Sequence, residues 1–358
     1  MKKLFIYKKN NDYYKDIFNF YEVCKKFDQK SCLIIDHKNI KEKNLYNFDI
    51  IITNINNLSF IKKFKDKVYF LIDKFDNNNI YSLFDYHIDP KLKNNTVDNS
   101  KNNLIFINEN LISETFDIIR ILKWDTKFWR KKTATIFTPI INKKVIKRVL
   151  IFIKENKIKF CSFLCNSNHA DSVNLAELNK FKLTDIRLTF ERDIKFVKKI
   201  KINKDYNFTL ATKKNIKELE KIVNNIYQSS RYYYDTNFDQ IKVNDYYKDW
   251  IKKSVLGLFD DYCLILNNKK ENKIIGFVSL KINNDNSASI GLIGVNKKFE
   301  GKGFGNIIIK NLFYYLYLKK IKKLYVVTQG RNIRAQRLYQ KNDFIIKSSG
   351  IWYHKWLN

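Results

Sequence analysis

The chain alternates short apolar runs with longer stretches of mixed polarity. Near the N-terminus, helical patterns such as YYKDIFNFYEVCKKF separate the apolar runs KLFIY, CLIIDH, FDIIITN and KVYFLID. Short apolar runs predict strands, and their alternation with helical patterns predicts a small parallel α/β sheet over residues 1–115. The Asn-rich segment 91–103 is the predicted linker.

Two later parts of the chain share the order helix, turn, strand. Residues 170–192 and residues 332–352 both show this pattern, and aligning Phe181 with Phe344 places Ala176 where Tyr339 stands. We therefore interpret residues 116–205 as a degenerate half-repeat of residues 206–358. The predicted organisation has three regions, 1–115, 116–205 and 206–358.

The glycines are concentrated around one loop. All nine lie after residue 256, and five fall in GLIGVNKKFEGKGFG, between a strand pattern over 287–295 and an apolar-striped helix over about 305–322. Glycine permits positive φ angles and a close ligand, and helix N-termini bind phosphate through their N–H groups and dipole. The loop is therefore predicted to bind phosphate. It lacks both GxxxxGK[ST] and GxGxxG, which excludes a P-loop and a dinucleotide fingerprint.

The motif EGKGFG resembles the pyrophosphate loop Q/R-x-x-G-x-G/A of the GNAT (GCN5-related) acyltransferases, with Glu300 in place of Gln or Arg. About thirty residues later, the chain matches the second signature of that family, N-x-x-A-x-x-L-Y-x-x-x-x-F, at Asn332, Ala335, Leu338, Tyr339 and Phe344. The resemblance implies an α/β fold over residues 206–358, with a mixed, mostly antiparallel sheet flanked by helices. It also implies acetyl-CoA, or another short acyl-CoA, as co-substrate.

The resemblance further implies roles for individual residues. In the family, the strand before the loop splays from its neighbour, and its free N–H groups hold pantetheine and the developing oxyanion. The implied acyl-CoA contacts are Ile293, Gly294, Val295, Glu300, Gly301, Lys302, Gly303, Phe304, Gly305, Asn306, Asn332 and Ala335.

Two further residues are candidates for the chemical step. Tyr339 is the implied general acid for the leaving thiolate, and the alternative is that it only packs. His354 is a candidate base or substrate contact, and a satisfied buried histidine is the alternative. Water alone is a third option for the base, because an amine with a pKa of roughly 8 is already partly neutral.

A second resemblance concerns the part of the chain expected to bind the amine that accepts the acyl group. Residues 229–257 and the final WYHKW are similar to the acetyltransferases that act on dTDP-amino-deoxysugars, the dTDP-fucosamine group. The implied acceptor contacts are Arg231, Tyr232, Asp235, Tyr247, Trp250 and Trp352. The degenerate, GNAT-like half-repeat over residues 116–205 is implied to complete the acceptor side without taking part in the chemistry. An arginine beside aromatic rings suits a diphosphate and a stacked base. The alternative is a surface loop followed by an amphipathic helix whose aromatics seal the core.

Composition argues against a membrane-spanning, secreted or metal-binding protein. No apolar run is long enough to span a membrane, and MKKLFIYKKNNDYY becomes charged too early for a signal peptide, so a soluble cytoplasmic protein is predicted. The five cysteines show no paired CxxC pattern. Reduced thiols and no metal are therefore predicted.

The net charge of +32 supports a rival interpretation, because such a field attracts nucleic acid or anionic membranes. The excess lysine is spread along the whole chain, however, and both implied substrates are polyanions. We predict an N-acyltransferase acting on the exocyclic amine of a nucleotide-linked aminodeoxysugar for cell-surface glycan synthesis, with no nucleic-acid partner. A peptide or polyamine acceptor, a relic GNAT module in a nucleic-acid- or membrane-binding protein, loose membrane-surface association and a homodimer stay open.

Overall fold

The computed structural model describes residues 118–195, 204–224, 226–283 and 285–357, together with residues 3–7, 17, 21, 32–36, 50–53, 68–72 and 86–88. The chain divides into two compact units. The first consists of Met1–Lys182 with Tyr353–Asn358, and the second of Leu183–Trp352. The linker predicted over residues 91–103 lies outside the described residues.

The first unit contains a five-stranded sheet near the N-terminus. Its strands are β1 (Lys3–Tyr7), β2 (Cys32–Asp36), β3 (Ile50–Thr53), β4 (Val68–Ile72) and β5 (Tyr86–Ile88). They lie in the order β2-β1-β3-β4-β5, and the pairings between them are parallel. The buried side chains of Phe5, Ile6, Ile50 and Ile52 fit the central strands of a parallel sheet. The arrangement agrees with the parallel sheet that the apolar runs predict.

The remainder of the first unit alternates strands and helices. Its elements are β6 (Ile119–Ile121), α1 (Lys123–Trp129), β7 (Thr133–Ile136), α2 (Lys143–Glu155), β8 (Phe160–Asn166) and α3 (Ala170–Leu178). Strand β7 pairs antiparallel with β6 and parallel with β8. Helix α2 begins after Asn142 because the side chain of Asn142 accepts the N–H of Val145 at 2.9 Å, which satisfies an otherwise unpaired donor.

The second unit is built on a mixed sheet. Its strands are β9 (Lys182–Asp193), β10 (Tyr206–Leu210), β11 (Tyr262–Asn268), β12 (Lys273–Ile282), β13 (Ser287–Val295), β14 (Lys323–Gln329) and β15 (Ile345–Trp356). The first residue of β9 and the last four residues of β15 belong to the first unit. The order is β10-β11-β12-β13-β14-β9-β15. Strands β10 to β13 pair antiparallel, β13 pairs parallel with β14, and β14 pairs antiparallel with β9. The mixed, mostly antiparallel sheet predicted for the C-terminal region is confirmed.

Helices flank this sheet, and one of them fills its core. They are α4 (Ile216–Val223), α5 (Arg231–Tyr234), α6 (Gln240–Val255), α7 (Phe304–Leu318) and α8 (Ile333–Gln340). Helix α7 buries one stripe, formed by Ile308, Ile309, Leu312, Phe313 and Leu316. Each such side chain contributes about 1.5–3 kcal/mol of burial free energy. The packing of α7 therefore fixes the position of the glycine loop that precedes it.

The elements from α2 to β9 recur from α7 to β15. Strand β8 begins at Phe160 and β14 begins at Lys323, which is 163 positions later. Strand β9 begins at Lys182 and β15 at Ile345, again 163 positions later. The predicted half-repeat therefore corresponds to a run of matching elements.

The turn between helix and strand is the same in both copies. The N–H of Phe181 donates to the Ala176 carbonyl at 3.0 Å, and the N–H of Phe344 donates to the Tyr339 carbonyl at 3.1 Å. Both turns also place one non-glycine residue at a φ of 59°, namely Lys180 and Asp343. The structure thus has the register in which Ala176 corresponds to Tyr339.

Candidate active site

Strands β13 and β14 separate half-way along β13. Their parallel pairing extends from Ser287 opposite Lys323 to Ile290 opposite Val326. Beyond that point β14 remains paired with β9, and β13 remains paired with β12. A gap opens between the two strands at residues 291–295, on the strand for which the sequence predicts a splay.

Strand alternation identifies the β13 groups that face this gap. The N–H of Asn296 donates to the Ile275 carbonyl of β12 at 2.7 Å, so Gly294, two residues earlier, also directs its backbone groups toward β12. Ile293 and Val295 then direct their N–H groups away from β12. In agreement, the Ile293 carbonyl accepts the Tyr227 hydroxyl at 3.2 Å instead of a β12 donor. Two N–H groups in such a gap can bind a thioester carbonyl and a pantetheine amide.

Ser279 is hydrogen-bonded to β13 at the irregularity in the β12–β13 pairing, just before the gap begins. The β12–β13 register shifts between Val278 and Leu280. The Oγ of the intervening Ser279 accepts the Leu292 N–H at 2.8 Å and donates its own proton to Asp260 at 2.6 Å. The backbone just before Ile293 is therefore attached to a side chain of β12.

Asp260 is the centre of a buried hydrogen-bond network. It is 4% exposed, and its carboxylate also accepts hydrogen bonds from the Ser254 hydroxyl at 2.6 Å and the Trp250 indole N–H at 3.1 Å. A Cβ atom on Gly291 would lie 2.5 Å from this carboxylate, so only glycine fits above it. The network positions the edge of the gap and was not predicted from the sequence.

The glycine loop leads directly into helix α7. Gly301 and Gly303 have φ angles of 76° and 81°, which L-residues with a side chain rarely adopt. A Cβ atom at either position would meet no heavy atom within 4 Å. The space beside the first turn of α7 is therefore open, as a phosphate bound to helix N–H groups requires.

Two side chains of the loop region bear on the fit of acyl-CoA. The Oδ1 atom of Asn306 is buried and has no hydrogen-bond partner among the described residues, so it can accept a donor from a ligand. Glu300, in place of the usual Gln or Arg, pairs with Arg334 of α8 at 2.7 Å. The guanidinium missing from the loop itself thus lies beside it. The Arg334 guanidinium fits a diphosphate-bearing ligand, whereas the Asn306 oxygen needs an N–H or O–H donor.

The other implied acyl-CoA contacts have structural partners in the second unit. The side chain of Asn332 accepts the Ala335 N–H at 3.1 Å and so caps helix α8. Phe304 packs edge-on against Tyr206, and the Lys302 ammonium lies 5.9 Å from the ring of Phe299. Their contacts with acyl-CoA stay predictions.

Tyr339 belongs to α8, and its side chain lies in the core of the second unit. It is 2% exposed, and its ring centroid is 5.6 Å from those of both Phe190 and Phe344. Burial raises the pKa of the Tyr339 phenol, so the phenol keeps its proton at neutral pH. This is the protonation state that a general acid needs before it acts.

Tyr227 is a second phenol beside the gap. Besides its hydrogen bond to Ile293, it stacks on Tyr247 with a centroid separation of 4.5 Å. Burial raises the pKa of Tyr227, and the phenols of Tyr247 and Tyr339 raise it further. Among twenty-two tyrosines, no sequence pattern singles out this one.

The implied acceptor residues Arg231 and Trp352 come together, although they lie far apart in the chain. The guanidinium carbon of Arg231 lies 3.6 Å from the centroid of the Trp352 ring, and Arg231 donates to the Tyr232 hydroxyl at 2.8 Å. An arginine held against an aromatic face is oriented before a ligand arrives.

The remaining implied acceptor residues pack inside the second unit. Asp235 accepts hydrogen bonds from the Asn237 N–H at 3.1 Å and side-chain amide at 2.8 Å, which shapes the turn before α6. Tyr247 stacks on Trp250 with an interplanar angle of 9°. These contacts fit the alternative in which the aromatics of α6 seal the core. A direct contact of Asp235, Tyr247 or Trp250 with substrate stays a prediction.

Three arginines and one carboxylate form a cluster of which the sequence analysis identified only Arg231. We call Arg187, Arg231, Arg331 and Asp185 the arginine cluster. Arg331 lies 3.8 Å from the carboxylate of Asp185, and its guanidinium carbon is 3.9 Å from the Tyr234 ring. Asp185 is 2% exposed, and burial raises its pKa to about 6 against the lowering effects of Arg331, the Ile186 N–H and Arg231. Apart from Arg231, the sequence signal for the cluster is the pair Asp185 and Arg187, two residues apart on the predicted strand.

Arg187 carries an unsatisfied buried donor. Its Nε is buried and has no hydrogen-bond partner among the described residues. Burial, and then the charge of Arg231, lower the pKa of Arg187 to about 10, so the guanidinium is still charged at neutral pH. The like charges of Arg187 and Arg231 therefore repel each other.

His354 and three cysteines lie in buried positions. His354, in the first unit, is 1% exposed and packs edge-on against Phe160 at 4.9 Å, as a core histidine would. Cys161, Cys165 and Cys263 are unpaired thiols whose burial raises their pKa to about 12. Within the described ranges, no three His, Cys, Asp or Glu side chains are grouped as a metal site. No helix in these ranges has the length and apolar character to cross a bilayer.

Comparison with known proteins gives a family match over the same region. Residues 221–344 match the family "Acetyltransferase (GNAT) family". The spore coat polysaccharide biosynthesis protein SpsD of Bacillus subtilis is 25% identical over 130 residues, which cover 36% of this chain and 44% of that protein. The dTDP-fucosamine acetyltransferase of Escherichia coli is 31% identical over 110 residues, which cover 31% of this chain and 46% of that protein. The chain thus matches less than half the length of either relative.

Among solved structures, the GCN5-related N-acetyltransferase from Sphaerobacter thermophilus matches with a TM-score of 0.48 and 9% identity, over 66% of this chain and 76% of that one. The family match contains the strand gap, the glycine loop and Tyr339. Residues 221–344 are therefore an acetyltransferase domain of the GNAT family.

Proposed function

We propose that the protein is an acyl-CoA-dependent N-acyltransferase, most simply an N-acetyltransferase, whose acceptor is the exocyclic amine of a nucleotide-linked aminodeoxysugar. The observation that carries the proposal is the gap between β13 and β14, which opens beside the glycine loop in a GNAT domain. The names of the two relatives support a sugar acceptor.

The donor half of the site is assigned to the loop and the gap. The N-terminal N–H groups of α7 bind the diphosphate of CoA, with Gly301 and Gly303 leaving the space that it needs. The N–H groups of Ile293 and Val295 bind pantetheine and the thioester oxygen. The Glu300–Arg334 pair places a guanidinium beside the diphosphate, where the family usually has Gln or Arg in the loop.

The chemical step is a direct acyl transfer. The neutral amine of the acceptor attacks the thioester carbon, a C–N bond forms, and the carbonyl oxygen becomes an oxyanion bound by β13 N–H groups. The C–S bond then breaks, and the Tyr339 hydroxyl gives its proton to the leaving thiolate. The proton lost by the amine passes to water, and the phenolate of Tyr339 regains a proton from solvent.

The acceptor half is assigned to Arg231, Tyr232 and Trp352, with Asp235, Tyr247 and Trp250 shaping their surroundings. A guanidinium suits phosphate, and an aromatic face suits a nucleobase. We place the reaction in the cytoplasm and the product in the synthesis of a cell-surface glycan. The excess positive charge of the chain favours capture of two polyanionic substrates.

Thiol release tests the proposal. The protein is incubated with acetyl-CoA and a panel of dTDP- and UDP-aminodeoxysugars, and free thiol and acceptor mass are followed. Spermidine, a lysine peptide and the corresponding nucleotide sugars with a hydroxyl in place of the amine are the controls. We expect release only with an amine-bearing nucleotide sugar, which gains one acetyl group. Release confined to spermidine or the peptide would refute the acceptor, and absence of CoA binding would refute the enzyme.

A further inference from the structure

We propose that the arginine cluster is a binding site for a diphosphate ester and holds the diphosphate of the acceptor nucleotide. The inference rests on the proposed function and names the group by which the acceptor is recognised. It adds Arg187, Arg331 and Asp185 to the single arginine that the sequence suggests.

Strand β9 and two loops of the same unit supply the cluster. Asp185 and Arg187 are two residues apart on β9, so their side chains project from one face of the sheet. Arg331 comes from the turn before α8 and lies 3.8 Å from Asp185. Arg231 begins α5, and its charge acts on both Asp185 and Arg187. The charges therefore form one electrostatic group within the second unit.

The charge of the cluster matches a diphosphate. Three guanidinium groups and one ionised carboxylate leave two positive charges in excess. A diphosphate diester, the linkage in a nucleotide sugar, carries one negative charge on each of its two phosphates at neutral pH. A monoanion would leave one positive charge uncompensated, and a neutral ligand would leave both.

Arg187 shows that the cluster is incomplete without an anion. Its buried Nε has no hydrogen-bond partner among the described residues, and its positive charge is repelled by that of Arg231. Buried polar groups are normally hydrogen-bonded, and buried charges are normally paired. A phosphate oxygen would satisfy the Nε donor and also screen the repulsion between the two guanidinium groups.

Aromatic rings hold two of the arginines in place. Trp352 lies 3.6 Å from the guanidinium carbon of Arg231, and Tyr234 lies 3.9 Å from that of Arg331. Arg331 also donates to the Thr184 carbonyl at 2.6 Å. Guanidinium groups oriented in advance lose less side-chain entropy when an anion binds. Two of the three guanidinium groups are therefore held in defined orientations before a ligand binds.

Calorimetric titration with dTDP tests the site in the full-length protein. The titration is done on protein saturated with CoA, so that the glycine loop is occupied, and thymidine serves as the phosphate-free comparison. We expect dTDP to bind and thymidine to bind at least tenfold more weakly, because a charged hydrogen bond contributes about 1.5–3 kcal/mol. Absence of dTDP binding, or equal affinity for thymidine, would overturn the proposal.

Variants at Arg187 link the binding to the cluster. Arg187→Gln should weaken dTDP binding about tenfold to a hundredfold, and Arg187→Lys, which keeps the charge but loses the guanidinium fork, should fall between it and the wild type. Arg337→Gln, the matched control, removes one exposed charge from α8. Equal dTDP affinity in Arg187→Gln and Arg337→Gln would overturn the site.

Thermal unfolding without ligand separates binding from folding. Because Arg187→Gln removes a charge that Arg231 repels, together with an unsatisfied buried Nε donor, its melting temperature should equal or exceed that of the wild type. Loss of dTDP binding together with a large fall in melting temperature would indicate a structural role and overturn the assignment. Normal melting of Arg187→Lys keeps the test valid if Arg187→Gln fails to fold.

Turnover distinguishes this inference from the proposed function. If Arg187→Gln acylates the nucleotide sugar with an unchanged KM, the enzyme stands and the diphosphate site fails. If dTDP binding depends on Arg187 but no nucleotide sugar is acylated, the site stands and the proposed acceptor fails. A raised KM for the nucleotide sugar, with the KM for acetyl-CoA unchanged, would support both.

Discussion

Two regions of the molecule, α3–β9 and α8–β15, have the same local frame but different side chains. Both consist of a short helix, a turn containing a residue at a φ of 59°, and a strand of twelve residues. The second copy has Tyr339 where the first has Ala176, and both are buried. The same backbone frame therefore occurs with and without the phenol, so the turn alone does not supply the group proposed as general acid.

The loops before the two equivalent helices differ in the same way. The loop before α7 has open space beside Gly301 and Gly303. Before α2, the corresponding segment contains Thr138 and Pro139, and the Thr138 hydroxyl donates to the Ile140 carbonyl at 2.8 Å. Proline has no N–H to offer to a phosphate, and the threonine is engaged within its own turn. The segment before α2 therefore lacks the features proposed for phosphate binding, just as α3 lacks the phenol.

In the strands that follow the two turns, it is the first copy, β9, that carries the charged side chains. Strand β9 carries Asp185 and Arg187, whereas the equivalent positions of β15, 163 residues later, are Ser348 and Gly350. One copy has kept the groups proposed for acyl transfer, and the other has the charges proposed for acceptor binding. Under these proposals, two similar backbone frames carry different functional side chains.

Of the four substitutions proposed to test this comparison, Tyr339→Phe should have the largest effect. Removing the proposed acid should lower turnover about a hundredfold or more while the affinity for acetyl-CoA is kept, because the ring still packs between Phe190 and Phe344. Steady-state kinetics and CoA titration measure the two quantities. Tyr317→Phe, which removes a partly exposed phenol from α7, is the control. Equal turnover in Tyr339→Phe and the control would contradict the role of the phenol.

Asp185→Asn should change the pH dependence of stability. Because burial raises the pKa of Asp185 from 3.8 to about 6, the native state binds a proton more readily than the unfolded state between these values. The free energy of unfolding therefore falls as pH rises through this window, by up to about 3 kcal/mol, and the variant should lose this slope. Urea unfolding across pH 4 to 7 measures it. Asp245→Asn, at an exposed site on α6, should keep the wild-type slope; parallel curves for Asp185→Asn and wild type would contradict the expectation.

Ser279→Ala should affect both folding and turnover. It leaves the Leu292 N–H and one lone pair of Asp260 without a partner, which costs about 1–3 kcal/mol of unfolding free energy. It also releases the edge of β13 beside Ile293, so turnover should fall. Ser254→Ala loses the same kind of bond to Asp260 but does not contact β13 through its hydroxyl. If both variants lose turnover equally at similar stability, the positioning role of Ser279 is wrong.

Gly303→Ala should have the smallest effect of the four. Alanine at a φ of 81° costs about 1–2 kcal/mol, so the unliganded loop should relax away from the conformation that binds CoA, and CoA affinity should fall about tenfold. Calorimetry with CoA measures the change. Gly257→Ala imposes similar strain at a φ of 67° and likewise adds a Cβ with no neighbour within 4 Å, but lies outside the loop. If Gly257→Ala weakens CoA as much as Gly303→Ala does, the effect is one of general destabilisation.

Local patterns made a large part of the fold predictable. The alternation of apolar runs predicts the parallel N-terminal sheet, and the glycine stretch predicts the order of β13, loop and α7, with α7 beginning at Phe304 instead of about Gly305. The register of Phe181 with Phe344 was also accessible, because both turns depend on interactions within a few residues.

Groups assembled from distant parts of the chain were not predictable. The arginine cluster joins residues 185, 187, 231 and 331, and the Asp260 network joins residues 250, 254, 260, 279 and 291. Their assembly depends on strand pairings that no local pattern encodes, above all the insertion of β9 beside β14. A charged residue on a strand looks the same in the sequence whether it faces solvent or a buried partner.

The position of β9 has a practical consequence for anyone who shortens this chain. β9 lies between β14 and β15, although it precedes residue 206 and the family match at residues 221–344. A fragment beginning at residue 206 would lack Phe190, which is buried in the core, and would expose the edges of β14 and β15 to other chains. Such a fragment should aggregate on expression, whereas one that begins before Leu183 keeps the sheet closed at this point.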